Sequence, residues 1–136
     1  MQTLTNNREI ESPTEPMPPL FVSAWRENAY LFLQLRGELD MHTVGVLKQA
    51  INNGLTDLDC AAIVVDMSAV SFIDSTGYGT FISAMQTLRL RGGGGVHLAA
   101  CQPSVARMLA VIRLNRVFTM HKSVEDARES LSVTRH

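Results

Sequence analysis

The sequence predicts a single α/β domain built on a small open β-sheet, and three observations support this prediction. Short apolar runs rich in β-branched residues alternate with segments whose apolar residues recur at helical spacing. Two strand-like segments joined by a short turn precede this alternation, which predicts an N-terminal β-hairpin. The chain has 136 residues, 46 % of them hydrophobic, which is enough for one core. Alternating strands and helices imply right-handed crossovers between parallel strands, with functional loops at the carboxyl ends of those strands.

The N-terminal segment differs in composition from the rest of the chain. It is polar and rich in proline, so it can bury too little apolar surface to offset the entropy lost on ordering. We therefore predict a flexible proline-rich arm over residues 1–18. A folded domain over residues 19–131 and a C-terminal tail over residues 132–136 complete the predicted organisation.

The hairpin and the first helix follow the arm. Residues 20–25 and 30–35 are predicted as the two strands, and residues 37–40, which read Gly-Glu-Leu-Asp, are expected to break the second strand. Residues 43–53 carry apolar side chains at helical spacing and end at Asn53-Gly54, which predicts an amphipathic helix.

The centre of the chain combines a buried strand with a long helix. Residues 61–66 form an apolar run that predicts a strand buried on both faces. Residues 74–77, Asp-Ser-Thr-Gly, are the predicted turn into a helix that ends near Arg91. The apolar stripe of that helix consists of Tyr78, Phe81, Ile82, Met85 and Leu88. Asp74 or Ser75 is a good N-cap, and a phosphate near the Ser75 and Thr76 hydroxyls would be favoured by the helix dipole.

The remaining elements complete the alternation. Residues 92–95 are four glycines that end the long helix and lead into a short buried strand at 96–100. Pro103 begins a helix whose predicted apolar face is Val105, Met108, Leu109 and Ile112. Residues 117–120 are a predicted edge strand, and Ser123 is the predicted cap of a last helix that runs through Leu131.

Composition argues against several classes of function. A net charge of −1 gives no basic surface for nucleic acid. The apolar runs are too short to span a membrane and the N-terminus lacks the basic and apolar pattern of a signal peptide, so we expect a soluble cytoplasmic protein. Sequence motifs for a nucleophile elbow, a P-loop or a zinc protease are absent, and two cysteines are too few for a metal site. The four histidines fall in different segments, which predicts no shared metal site: His42, His97, His121 and His136.

Two aspartates and a serine remain as candidates for function. Asp40 follows one predicted strand, and Asp74 with Ser75 follows its neighbour, so the topology can bring them to the same end of the sheet. The aspartates could simply hold their loops by accepting backbone N–H groups while Ser75 caps the helix. Alternatively, Ser75 is a surface serine that a partner modifies. Residue chemistry alone does not choose between these interpretations.

A family resemblance bears on that choice. The resemblance rests on Gly37-Glu38-Leu39-Asp40 with Thr43, on residues 63–77, which read Ile-Val-Val-Asp-Met-Ser-Ala-Val-Ser-Phe-Ile-Asp-Ser-Thr-Gly, on Pro103-Ser104-Val105 and on Val117-Phe118. Together these motifs resemble the STAS-domain family, in particular the bacterial anti-sigma factor antagonists. The resemblance extends from about residue 20 to about residue 131, and Phe-Ile-Asp-Ser-Thr-Gly is its most specific part.

The resemblance implies a four- to five-stranded mixed sheet with about four helices. It also implies a non-enzymatic switch that needs no cofactor of its own. Unphosphorylated, such a protein binds an anti-sigma factor and so frees a sigma factor for transcription. The anti-sigma factor is a serine kinase that binds ATP and magnesium, and a phosphatase reverses the mark.

Carried onto this chain, the resemblance implies that Ser75 is the phosphorylated residue. The surrounding contact surface would comprise Asp40, Asp74, Thr76, Gly77 and Tyr78, with Tyr78 standing where the family usually has leucine. Two alternatives stay open. The domain could be a scaffold subunit of a larger signalling assembly, or a nucleotide-binding module, although the sequence lacks a nucleophile-and-base pair.

Overall fold

A computed structural model describes residues 19–134 and contains a five-stranded mixed sheet and four α-helices. The predicted arm at 1–18 lies outside the described residues. The strands are β1 (Phe21–Glu27), β2 (Tyr30–Leu39), β3 (Ala62–Ile73), β4 (Val96–Ala99) and β5 (Thr119–His121). The helices are α1 (Val44–Leu55), α2 (Ser75–Leu90), α3 (Pro103–Val111) and α4 (Val124–Thr134).

The topology follows the predicted alternation. The strand order is β1-β2-β3-β4-β5, with β1 antiparallel to β2 and each later strand parallel to its neighbour. The hairpin and the parallel crossovers are therefore confirmed, and so is β5 as an edge strand. The carboxyl ends of β2, β3 and β4 lie side by side at the end of the sheet toward which these parallel strands run. We call this end, which is distinct from the edge strands β1 and β5, the C-terminal edge.

Two predicted strand ends are wrong, and a local irregularity explains them. The Gly37–Asp40 segment does not break β2, which continues to Leu39, and β3 continues well past the predicted end at Asp66. The two strands keep pairing because the register shifts between Gln34 and Arg36 and again between Gly37 and Glu38. Gly37 has a φ of +128°, a conformation that residues with a Cβ rarely adopt. The glycine thus permits the irregularity instead of ending the strand.

The sheet separates two apolar clusters of unequal size. The larger lies beneath α1, α2 and α3 and includes Phe81, Met85 and Leu88 from the predicted stripe of α2. The smaller cluster lies beneath α4 and consists of Phe32, Ala62, Val64, Ala127 and Leu131. Arg128 fixes α4 to the hairpin, because its guanidinium makes two hydrogen bonds of 2.8 and 2.9 Å to the Glu27 carboxylate.

The predicted apolar face of α3 is half wrong. Val105 and Leu109 are buried as expected, but Met108 and Ile112 are 49 % and 43 % exposed. The helix ends at Val111, so it presents little more than two turns to the core. A single turn of 3₁₀-helix at Leu114–Arg116 then leads toward β5.

Candidate functional site

The loops after β2 and β3 lie side by side at the C-terminal edge. Leu39 and Ile73 are paired residues in the ladder, so Asp40 and Asp74 follow directly at adjacent strand ends. The Asp74 N–H donates a 3.0 Å hydrogen bond to the Leu39 carbonyl, which joins the two loops. The structure therefore brings the predicted aspartates to the same end of the sheet.

Asp74 is the N-cap of α2. Its backbone is extended, and its Oδ1 accepts hydrogen bonds from the N–H groups of Thr76 (2.9 Å) and Gly77 (3.2 Å). The carboxylate thus satisfies two of the amides that every helix leaves open at its start. A negative charge there also complements the positive end of the helix dipole.

Ser75 is the first residue of α2 and is exposed. Because Asp74 provides the cap, the Ser75 side chain is not needed for it, and its hydroxyl bonds to none of the residues between 19 and 134. The adjacent Thr76 is half-buried, and its carbonyl accepts a hydrogen bond from the Thr80 hydroxyl at 2.9 Å. The first turn of α2 therefore presents a serine hydroxyl to solvent on a fixed backbone.

Asp40 organises the neighbouring loop in the same manner but below the surface. It is 9 % exposed, and its Oδ1 accepts from the N–H groups of His42 (2.8 Å) and Thr43 (3.1 Å). The Thr43 hydroxyl donates to the Glu38 carbonyl at 2.7 Å and accepts from the Asp40 N–H at 3.0 Å. Both side chains of this loop are thus committed to the backbone that leads into α1.

Gly77 and Tyr78 lie beneath the Ser75 loop. A Cβ on Gly77 would stand 2.7 Å from Ile73 Cγ1 and 2.9 Å from Leu39 Cγ, so the absent side chain lets α2 pack closely on both strand ends. Tyr78 is 7 % exposed, and its hydroxyl has no hydrogen-bond partner within the described chain. Burial raises the pKa of Tyr78, and the charges of Asp74 and Cys101 raise it further. The sequence pattern placed Tyr78 in the apolar stripe of α2 but gave no sign that its hydroxyl would lack a hydrogen-bond partner.

A groove of about 400 Å³ runs between α1 and α2 from the same helix start. Thr76, Thr80, Ser83 and Thr87 contribute to its α2 wall, and Lys48 to its α1 wall. The sequence gives no sign of this groove, because the groove depends on how the two helices lie against each other.

The structure resolves part of the ambiguity that residue chemistry left open. Asp40 and Asp74 do hold their loops through backbone N–H groups, as the structural interpretation expected. That interpretation also made Ser75 a cap, but the cap is Asp74, and Ser75 remains exposed.

The histidines are less scattered than the sequence suggested. His97 Nδ1 and His121 Nε2 lie 2.9 Å apart, and the two rings stack with centroids 5.1 Å apart. Burial, followed by the neighbouring His121, lowers the pKa of His97 to about 4. The β4–β5 register brings these residues together, and no single-sequence pattern reports that register. Between residues 19 and 134 no group of three or more potential ligands could hold a metal ion.

Comparison with known proteins gives a consistent result. The model of the STAS domain family matches residues 24–127. A curated relative, the anti-sigma F factor antagonist of Paenibacillus polymyxa, is 27 % identical over 105 residues, which cover 76 % of this chain and 87 % of the relative.

Several solved structures share this fold. An anti-sigma factor antagonist from Mycobacterium paratuberculosis superposes with a TM-score of 0.70 at 26 % identity, covering 82 % of this chain and 92 % of that one. The Bacillus cell fate determinant SpoIIAA in its phosphorylated form gives a TM-score of 0.65 at 21 % identity, covering 82 % of this chain and 99 % of that one. In the described part of the chain, no helix is both long and apolar enough to cross a membrane.

Proposed function

This chain belongs to the STAS domain family, and from that premise we propose that it is an anti-sigma factor antagonist switched by phosphorylation of Ser75. Unmodified, it binds an anti-sigma factor and so frees a sigma factor. The anti-sigma factor is also the kinase and brings ATP and magnesium, and a phosphatase restores the hydroxyl. We place this exchange in the cytoplasm, where the kinase finds ATP.

One observation carries the proposal: Ser75 presents an exposed, uncommitted hydroxyl on the first residue of a helix that Asp74 already caps. A kinase needs an acceptor that it can reach without unfolding the substrate, and this hydroxyl meets that requirement. The name of the Paenibacillus relative supports the class of partner, and the phosphorylated form of the Bacillus neighbour supports the type of modification.

The fold is expected to tolerate the phosphate. Phosphorylation adds between about −1.5 and −2 charges at pH 7, and a helix N-terminus stabilises negative charge. The cap does not need rebuilding, because Asp74 and not Ser75 holds the amides of the first turn. We therefore expect the phosphate to act on binding of the anti-sigma factor and not on the fold.

Binding is expected to fail for electrostatic reasons. A partner surface fitted to a neutral hydroxyl would have to desolvate a dianion beside the Asp74 carboxylate. Unpaired or like-charge contacts of this kind cost several kcal/mol, which corresponds to a loss of about a hundredfold or more in affinity.

The other residues of the proposed contact surface differ in how they would act. Asp74 and Thr76 are half-buried and can touch a partner directly. Asp40, Gly77 and Tyr78 are buried, so we propose that they stabilise the conformation of the contact surface without touching the partner.

Three variants test the proposal. Ser75→Ala should resist phosphorylation yet still bind the cognate anti-sigma factor, whereas Ser75→Glu should stay folded and bind about a hundredfold more weakly. Thr76→Ala, the matched control, should still accept phosphate. The measurements are mass mapping of the modified residue after incubation with the kinase and ATP, and titration of each variant against the partner. Phosphate on Thr76 alone, or equal affinities for wild type and Ser75→Glu, would refute the mechanism.

A further inference from the structure

Two large apolar side chains near the Ser75 loop are exposed to solvent. Phe72, at the end of β3, is 48 % exposed, and Met41, in the loop after β2, is 68 % exposed. Phe72 pairs with Glu38 in the β2–β3 ladder, and Met41 follows the paired residue Leu39 by two positions. Both side chains therefore belong to the same edge of the sheet as Ser75.

The fold itself does not account for these two side chains. Neither Phe72 nor Met41 belongs to the two apolar clusters, although their neighbours Ile73 and Leu39 are deep in the larger one. On the outer face of the sheet, the cluster beneath α4 takes in Phe32, Ala62 and Val64 but does not extend along β3 to Phe72. Large apolar side chains that are exposed beside a partner-binding loop are candidates for the buried centre of a protein–protein contact.

We infer that Phe72 and Met41 are apolar anchors by which the anti-sigma factor holds this chain beside Ser75. The inference rests on the proposed function and adds to it the chemistry of the contact. The partner would offer an apolar pocket at this position. The affinity would come mainly from burying these two side chains, and it would therefore depend only weakly on salt concentration.

Apolar anchors also sharpen the explanation of the switch. A phosphate on Ser75 would lose its hydration when the partner binds. The apolar anchors offer it no hydrogen bonds in return. The cost of burying an unpaired charge is large, so the dianion would force the apolar contact apart. The same surface that gives affinity in the unmodified state would thus make the modified state incompatible with binding.

The experiment compares anchors with equally exposed apolar residues elsewhere. Met41→Ala and Phe72→Ala are titrated calorimetrically against the cognate anti-sigma factor with ADP bound, so that no phosphate is transferred. Leu90→Ala and Leu58→Ala are the matched controls, because these side chains are 89 % and 73 % exposed and lie at the end of α2 and in the segment before β3. We expect each anchor variant to lose about tenfold or more in affinity and each control to bind as wild type.

Two further measurements make the result decisive. Thermal melting shows whether each variant is folded, and Phe72→Leu, which keeps an apolar side chain, should recover part of the affinity if Phe72→Ala is destabilised. Wild-type affinity should change little between low and high salt. Anchor variants that bind as tightly as wild type, or a steep loss of wild-type affinity with salt, would overturn the inference.

The inference and the proposed function can fail separately. If Ser75→Glu abolishes binding while Met41→Ala and Phe72→Ala leave it unchanged, the switch stands and the anchors do not. If wild type neither binds the anti-sigma factor nor accepts phosphate, the proposed function itself is wrong.

Discussion

The loops after β2 and β3 each begin with an aspartate that accepts hydrogen bonds from two backbone N–H groups. They differ in the nearby hydroxyl, which is buried and bonded in one loop and exposed in the other. In the first loop the Thr43 hydroxyl is buried and bonded to the Glu38 carbonyl and the Asp40 N–H. In the second loop the Ser75 hydroxyl is exposed, because Asp74 alone caps the helix. The two loops thus share an aspartate that holds the backbone, and they differ in whether the nearby hydroxyl is bonded. The free hydroxyl belongs to the loop for which we propose the switch.

The largest expected effect concerns the two aspartates. Asp40→Ala removes a buried acceptor from two amides and should destabilise the fold by about 2 to 3 kcal/mol. Asp74→Ala removes a more exposed N-cap and should cost about 1 to 2 kcal/mol. Urea denaturation measures both, and Asp40→Asn is the control, since its amide oxygen can still accept. A larger loss for Asp74→Ala than for Asp40→Ala would contradict the ranking by burial.

The next effect tests the close packing of α2 on the ends of β2 and β3, beneath both loops. Gly77→Ala would push a methyl group into Ile73 and Leu39, and overpacking of this kind costs about 1 to 3 kcal/mol. Gly79 lies two residues along the same helix with nothing within 4 Å of a Cβ, so Gly79→Ala should stabilise by about 0.5 to 1 kcal/mol. Thermal melting of the pair gives the sign of each change. Equal melting temperatures would show that α2 does not pack on the strand ends as described.

The two hydroxyls provide a direct test of the comparison. Thr43→Val keeps the shape of the side chain but removes the hydroxyl that accepts from the Asp40 N–H and donates to the Glu38 carbonyl, at a cost of about 1 to 3 kcal/mol. Ser75→Ala removes an unbonded, exposed hydroxyl and should change stability by less than about 0.5 kcal/mol. Chemical denaturation distinguishes these outcomes. A substantial loss for Ser75→Ala would mean that the serine has a structural partner after all.

The pH dependence of stability should arise away from both loops. Burial lowers the pKa of His97 to about 4 and also lowers the pKa of His121, so the folded pair resists protonation. In the unfolded chain each imidazole returns to an ordinary pKa of about 6.5 and binds protons more readily. Stability should therefore fall as the pH drops from about 6.5 toward 4, by about 1 kcal/mol after allowance for partial exposure.

A substitution at His97 tests whether this pH dependence is independent of the loops after β2 and β3. His97→Gln should flatten the stability profile between pH 6.5 and 4 while leaving phosphorylation of Ser75 unchanged, as measured by denaturation at several pH values and by kinase assay. An unchanged slope would assign the acid sensitivity to other groups.

The smallest effect concerns Tyr78. Its buried hydroxyl has no partner among residues 19–134, so Tyr78→Phe removes an unsatisfied group and should be neutral or stabilising by up to about 1 kcal/mol. Calorimetric melting measures the change. A clear loss of stability would indicate that the hydroxyl is bonded, for example through a buried water.

Much of this architecture is readable from the sequence because it depends on local patterns. The apolar stripe of α2 is encoded by residues close together in the chain, and it was predicted correctly except that Ile82 is only partly buried. The turn predicted over residues 74–77 is shorter than expected, because Asp74 is the N-cap and the helix already begins at Ser75. The candidate site could be located at one edge of the sheet because parallel strands align their carboxyl ends.

The features that escaped prediction depend on contacts between distant segments. The continuation of β2 past Gly37 requires a shifted register with β3, and the His97–His121 contact requires the register of β4 with β5. Whether Asp74 or Ser75 caps α2 also could not be chosen, because both residues are good caps and the outcome depends on the backbone direction at the end of β3.

The hydrogen bond from the Asp74 N–H to the Leu39 carbonyl bears on how fast a partner can engage this surface. It couples the two loops, which are each already tied to a helix start, so the backbone around Ser75 has few alternative conformations to lose on association. A preorganised surface avoids the entropic cost of ordering a loop during docking. We therefore expect association with single-exponential kinetics at roughly 10⁵ to 10⁷ M⁻¹s⁻¹, limited by orientation rather than by a conformational step.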